Sequence, residues 1–268
     1  ILKNALQNSS VAHAYLFHGQ ESIGKKQIAI ELAKSLNCAS PIKGDACDKC
    51  ISCQKIENRT HPDFFFIEPI KNTPTAREAV IKIEAIRELQ RKLAFHPYEG
   101  KVKVAIIDTA DLMNLQAANS FLKTLEEPPS ATILILISSN PFKLLPTLIS
   151  RCQTIQFQPL THENIKKILK KIMAEQMIGN DTLAFRTLRS RGSVKKALAE
   201  DIENIVNIRK EIVSLLETIS FDRMDVVFSH AKSWASQSDQ WELILNELME
   251  LVRDLAFFQS GCSESEVY

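Results

Sequence analysis

Two apolar runs constrain this chain more than anything else in it. Val102 to Ile107 and Thr132 to Ser138 are nearly continuous Val, Ile and Leu. A strand without polar alternation must be covered on both faces, which is the condition of a parallel sheet flanked by helices. Shorter strand candidates run from Ala14 to His18, Phe64 to Ile67 and Ile155 to Phe157, with helical patterns between them over Lys25 to Leu36, Ile81 to Phe95 and Asn114 to Glu126. This alternation predicts βαβ units through the first two thirds of the chain. The last of those helices must stop at Glu127-Pro128-Pro129, where proline cannot continue it.

After Gln158-Pro159-Leu160 the strand signals cease and the rest reads as all-α. Ile165, Ile168, Leu169 and Ile172 mark one apolar stripe, with Lys166, Lys167, Lys170 and Lys171 on a solvated opposite face. Further stripes follow at Ile205, Ile208, Ile212, Leu215 and Leu216, and at Leu243, Ile244, Leu248, Leu251, Val252 and Leu255. Such stripes build core, and part of them serves an interface if this region assembles. The expected class is therefore α/β followed by all-α. At 268 residues the chain suffices for one large or two to three small domains.

Charge sets a limit on partners. Thirty-three Lys plus Arg against 32 Asp plus Glu leave +1, which predicts no chain-wide footprint for nucleic acid or membrane. No apolar run reaches the ~18 residues a membrane span needs, and no secretory leader opens the sequence. A reducing, cytoplasmic setting is expected.

The first candidate site is Gly19-Gln20-Glu21-Ser22-Ile23-Gly24-Lys25-Lys26, between a predicted strand and a predicted helix. Gly19, Gly24 and Lys25 match a phosphate-binding loop, in which backbone N–H groups at a helix N-terminus cradle phosphate and the lysine reaches the terminal phosphates. Position 26 departs from it. A Ser or Thr hydroxyl should stand there as a magnesium ligand, whereas a protonated lysine has no lone pair and brings a positive charge. Glu21 adds a negative charge within the loop. Asp108 ends an apolar strand where a metal-side carboxylate is expected, yet Thr109 follows in place of a second acid. The scaffold of a nucleotide site is retained while its catalytic positions are altered.

The second candidate is a cluster of cysteines, Cys38, Cys47, Cys50 and Cys53, within a predicted loop. A tight cluster in a long, lysine-rich chain reads as a metal site. Four thiolates fit tetrahedral, closed, structural zinc, and the same ligands are compatible with an iron–sulfur cluster. His61 could substitute as a ligand but fits better in a His61-Pro62-Asp63 turn before the next strand.

These features, with "HAYLFHG", "HPDFFFIEP", "KVAIIDTADLMNLQAANSFLKTLEEPP", "ILISSNPFKLLPTLISRCQTIQF" and "GSVKKAL", resemble the AAA+ clamp-loader subunits of bacterial DNA polymerase III, specifically the delta-prime group. The likeness runs over roughly residues 10 to 200. Leu125-Glu126-Glu127-Pro128-Pro129 and Ser150-Arg151-Cys152 are its most specific parts.

The resemblance implies a RecA-like AAA+ domain over 1–158 with a zinc module at about 38–53, a helical lid over 159–200 and a helical collar domain over 201–268. It implies that Arg151 is an arginine finger pointed at ATP on a neighbouring subunit, and that Ser138-Ser139-Asn140 is a sensor of terminal phosphate. Gly192-Ser193-Val194-Lys195 resembles the lid's second sensor, with Lys195 in place of arginine. The implied function is a subunit of a DNA-directed DNA polymerase holoenzyme that is not itself an ATPase, with a weak or empty nucleotide site at Gly19, Gly24, Lys25 and Asp108. Implied partners are ATPase subunits and delta in a hetero-pentamer, and through it the sliding clamp and primed DNA. An active ATPase subunit and a free-standing zinc module binding nucleic acid are the competing readings. The balance of Lys43 and Lys49 by Asp45 and Asp48, without aromatic residues between the cysteines, weighs against the second.

Overall fold

A computed structural model describes residues 1–71, 79–172, 180–198, 202–218, 224–236 and 241–260. Cys262 and the junction at 199–201 between the expected lid and collar lie outside these residues. The chain divides into two compact units, Ile1–Leu160 and Thr161–Tyr268.

The first unit contains α1 (Leu2–Gln7), β1 (Ala14–His18), α2 (Lys25–Asn37), α3 (Ile51–Glu57), β2 (Phe64–Ile67), a small antiparallel pair β3 (Ile70–Lys71) and β4 (Ala79–Val80), α4 (Ile83–Leu93), β5 (Lys103–Ile107), α5 (Leu115–Glu126), β6 (Thr132–Ser138), α6 (Pro146–Ile149) and β7 (Gln153–Gln156). Five strands form one sheet in the order β2-β5-β6-β1-β7, every pair parallel. β5 and β6 are buried at every residue, as their unbroken apolar character requires. One face packs Leu16, Ala105, Ile107, Leu134 and Leu136 with Phe121 and Leu125 of α5 and Leu148 of α6. The other packs Tyr15, Phe17, Val104, Ile106, Ile133, Ile135 and Ile137 with Ala29, Leu32 and Ala33 of α2.

Several boundaries differ from expectation for physical reasons. β7 covers Gln153–Gln156 rather than Ile155 to Phe157. It is an edge strand with mostly exposed side chains, so its hydrogen bonding left no apolar pattern to read. Ile81 lies before α4, its backbone exchanging hydrogen bonds with Leu112 and Asn114 at 2.9 and 3.1 Å. Asn114 is the N-cap of α5, its side chain accepting from the Ala117 N–H. Lys103, inside the apolar run, is 1% exposed, and its ammonium donates to the carbonyls of Leu93 and Phe95 at the end of α4. A buried cation is tolerated there because it satisfies carbonyls the helix leaves open.

Asp63 pins the approach to β5. Its carboxylate accepts the backbone N–H groups of Tyr98, Glu99 and Gly100 at 2.7, 2.8 and 2.7 Å. Burial alone would raise its pKa, but those three donors hold it below the ordinary carboxylate value. His61 accepts from the Asp63 N–H through Nδ1, which places it in the turn and not among the cysteines.

The second unit contains α7 (His162–Ile172), α8 (Asn180–Arg189), α9 (Val194–Leu198), α10 (Ile202–Thr218), α11 (Met224–Ser236) and α12 (Trp241–Gln259). Ile165 and Leu169 of α7 are buried while its lysines are exposed, and Ile172, expected in the stripe, is 55% exposed. Ile208 and Ile212 of α10 pack on Ile244 of α12 with Trp234 of α11. A buried ionic cluster ties these helices together. Glu247 of α12 is fully buried and accepts from Arg189 of α8, one bond measuring 2.8 Å, and from Nε of Arg209 of α10 at 3.1 Å. Removing one partner of such a cluster leaves charge uncompensated in the interior. Glu247→Ala should destabilise the second unit by about 3 kcal/mol, read as a lowered urea midpoint, with the first unit's transition unchanged.

Candidate functional site

In a sheet with all strands parallel, the carboxyl ends share one rim, and a crevice opens where the strand order reverses. Here the reversal falls beside β1. The chain leaves β1 for the far edge at β2, returns through β5 and β6 to β1, and ends beyond it at β7. His18 is level with Ser138, and Ile107 with Leu136. The loop after β1, Asp108 after β5 and Ser138 at the end of β6 thus meet at one rim.

Gly19 has φ +143° and Gly24 +96°, conformations that glycine adopts without penalty. A Cβ on Gly19 would lie 2.4 Å from the carbonyl oxygen of Phe157, so a side chain there is excluded twice over. Gly24 is the N-cap of α2 and lets the helix begin at Lys25. Lys25 is 6% exposed and donates to the carbonyls of Gly19 and Gln20 at 2.7 and 2.6 Å. Burial lowers its pKa, and Asp108, Asp111 and Glu21 draw it back upward.

Lys26 turns to the other side of the helix N-terminus. Its ammonium lies 3.2 Å from Oδ2 of Asp108 and also bonds Glu68, one residue beyond β2. It stands 4.7 Å from the centroid of the Phe66 ring, against which Arg59 also stacks at 4.1 Å while bonding Glu68 at 3.0 Å. Lys26 and Asp108, from the start of α2 and just past the end of β5, are thus joined by an ion pair at the rim.

Thr109 adopts a left-handed φ of +52° and carries no carboxylate. Ser138 is fully buried, donates to Asp111 at 2.7 Å and accepts the Asn140 N–H at 3.0 Å. Asp111 therefore belongs to the rim as well, although the spacing of the motif did not mark it out. Arg151 follows α6, away from this crevice in sequence and on the half-exposed surface. Its guanidinium meets Glu126 at 2.6 Å and the carbonyl of Thr147 at 2.9 Å. Cys152 is half-buried against the core, and burial raises its thiol to about 12. In the second unit, Gly192 has φ +81°, the Ser193 N–H bonds the Ser190 carbonyl at 2.8 Å, and Lys195 lies exposed on α9.

Comparison with known proteins bears directly on this arrangement. The family model described as DNA polymerase III, delta subunit, matches residues 1–161. The delta-prime subunit of DNA polymerase III from Bacillus subtilis (strain 168) is 31% identical over 278 residues, covering 100% of this chain and 79% of that protein. The chain belongs to the delta-prime family of clamp-loader subunits. The delta-prime subunit of Pseudomonas aeruginosa is 41% identical over 141 residues, 53% of this chain and 42% of its own length. The tau subunit of Salmonella typhimurium is 30% identical over 96% of this chain, which spans only 42% of tau. Among solved structures, a gamma-subunit-related protein of Thermotoga maritima superposes with a TM-score of 0.51 at 19% identity, covering 83% of this chain and 64% of that one. That likeness concerns the fold, which is the RecA-like AAA+ arrangement.

On this delta-prime scaffold, the cysteines form a second site, which begins at the C-terminal end of α2. The sulfurs of Cys38, Cys47, Cys50 and Cys53 all lie within 4.8 Å of one another, against the ~3.8 Å edge of a tetrahedron with ~2.3 Å metal–sulfur bonds. The donor set fits a closed tetrahedral metal ion such as zinc with a small inward contraction. Backbone N–H groups point at the sulfurs: Cys47 to Cys38 at 3.4 Å, Cys50 to Cys47 at 3.3 Å and Cys53 to Cys50 at 3.5 Å. Asp48 makes the intervening turn with φ +55°.

The sequence predicts a loop for all four cysteines, but Cys53 lies in α3, which Cys50 caps with its own sulfur. N–H groups from Ala39 and Cys53 lower the Cys50 thiol to about 6, whereas burial pushes Cys53 up to about 12. Without a cation a second thiolate beside the first is costly, and a divalent ion removes that cost.

Lys34 of α2 fastens the module to the sheet domain. It is buried and bonds Glu31 at 2.7 Å, Asp48 at 2.7 Å and Glu57 at 2.9 Å. Burial would lower its pKa, but the three carboxylates hold it above the ordinary lysine value. Asn37 and Lys101 complete the join, with Lys101 donating to the Cys38 carbonyl at 2.9 Å and its own N–H bonding Asn37 at 2.8 Å.

Elemental analysis of the purified chain should find about one tightly held metal ion per molecule, lost from Cys50→Ser and Cys53→Ser. Acidification should release it as the thiolates take up protons, and amide exchange should then rise in α3 while β5 and β6 stay protected.

Proposed function

We propose that this chain serves a bacterial clamp loader as a non-hydrolysing AAA+ subunit, which keeps a degenerate nucleotide site and lends Arg151 to nucleotide held by an adjacent ATPase subunit. The observation that carries this reading is the ion pair between Lys26 and Asp108. Magnesium requires a near-octahedral shell of oxygens, and an ammonium in contact with the strand-end carboxylate both removes a ligand and repels the ion. Thr109 supplies no water-activating carboxylate, and the Ser138 hydroxyl is committed to Asp111. Arg151 is intact and reaches the surface, and a planar, permanently charged guanidinium is suited to stabilise phosphoryl charge in trans.

In this reading the metal at the cysteine module is structural zinc, since four sulfur ligands leave no position open for water. In the same reading a lid spans 159–200 and a collar domain 201–268, so that all but the first two lid residues fall in the second unit. Leu245, Met249, Val252 and Leu255 on α12 are 48 to 63% exposed, which suits helix-to-helix assembly with delta and the ATPase subunits in a hetero-pentamer. The sliding clamp and primed DNA are reached through that complex, in the bacterial cytoplasm.

The test is ATP turnover with and without partner subunits. The purified chain should hydrolyse ATP no faster than a Lys25→Ala variant. A loader reconstituted with Arg151→Ala should lose at least about tenfold of its clamp- and DNA-stimulated turnover. Magnesium-dependent hydrolysis by the isolated chain at the rate of its partners would overturn the proposal.

A further inference from the structure

Arg151 does not stand alone. Glu126, its partner at 2.6 Å, is the last residue of α5, where the negative end of the helix dipole disfavours an acid. The Glu127 N–H already closes the helix on the Lys123 carbonyl, so Glu126 is not needed as a cap. The ion pair is about a third exposed on the arginine side and half exposed on the glutamate side, a setting in which such pairs add little to stability. What the contact does accomplish is orientation. One terminal nitrogen of Arg151 is held by Glu126 and the other by the Thr147 carbonyl, which removes the rotamer freedom of a long side chain.

Both anchors ride on rigid supports. Leu125, beside Glu126, is 1% exposed, and Leu148, three residues before Arg151, is fully buried in the same core cluster as Phe121. Backbone bonds from Ser150 to Pro146 at 3.0 Å, Arg151 to Leu148 at 3.2 Å and Cys152 to Ile149 at 3.1 Å fix the turn that carries the arginine.

We infer that Glu126 is a positioning residue for Arg151. It neutralises the guanidinium at rest and keeps hold of one terminal nitrogen when a nucleotide-bearing neighbour docks, while phosphate takes the place of the Thr147 carbonyl on the other. The arginine is aimed by the carboxylate on one nitrogen as the other reaches the phosphate, so it is never left without a counter-charge. This inference rests on the in-trans role proposed above for Arg151.

The experiment is steady-state ATP turnover of the reconstituted loader carrying Glu126→Ala, Glu126→Gln, Arg151→Ala or both Glu126→Ala and Arg151→Ala. Glu126→Ala should lower kcat about fivefold with KM for ATP unchanged, because a freely rotating guanidinium is misplaced in the transition state. Glu126→Gln, which keeps an acceptor oxygen in place, should recover most of that loss. The double variant should be no slower than Arg151→Ala alone, since the two side chains act as one unit. All variants should assemble and unfold at the parent temperature. If Arg151→Ala slows the loader while Glu126→Ala does not, or if the two losses multiply in the double variant, the positioning role is wrong. If Arg151→Ala itself has no effect, the in-trans role fails first.

Discussion

Every strand of the main sheet runs the same way, and the rest of the first unit depends on that constraint. Parallel pairing forces each connection to cross back over the sheet, so helices cover both faces and the loops that follow the strands crowd one rim. The loop after β1, the acid after β5 and the hydroxyl at the end of β6 are far apart in sequence and meet only because their strands are neighbours in register. A site for anionic ligands is a by-product of this topology. Whether such a site performs chemistry depends on a few side chains that the core does not need.

Those few side chains have turned toward one another. Lys25 spends its donors on the carbonyls of Gly19 and Gln20, Lys26 faces Asp108 and Glu68, and Ser138 faces Asp111. The loop is thus held in shape by internal partners. Gly19 is required by the 2.4 Å approach of the Phe157 carbonyl, whatever the loop binds.

The apolar strands, the glycines and the cysteines could be read from the sequence because each rests on local pattern or on residue chemistry with few alternatives, whereas Arg151 was marked out only by the family resemblance. β1, β2 and β6 stand where their apolar runs predicted, and the four cysteines do converge. What was not legible depends on contacts distant in sequence. Nothing near Lys34 in the chain says that it will gather Asp48 and Glu57, and nothing near Asp63 says that its carboxylate will receive N–H groups from residues 98 to 100. Lys103 interrupts an apolar run yet is buried, since the open end of α4 lies beside it. The cap of α3 went unseen because a cysteine sulfur took a place usually read from Ser, Thr, Asp or Asn.

The cysteine module shows how an insertion can be grafted without disturbing the sheet. It leaves α2 at Cys38 and rejoins the sheet domain through α3, and both ends are clasped by residues that also serve the framework. Lys34 binds one carboxylate from its own helix and two from the module, while Asn37 and Lys101 link the end of α2 to the start of β5. Coordination of a metal would order the inside of the module, and these contacts order its attachment. A metal bound there would give the module its own source of folding energy, and α2 meanwhile keeps Ala29, Leu32 and Ala33 packed on the residues of β1, β5 and β6.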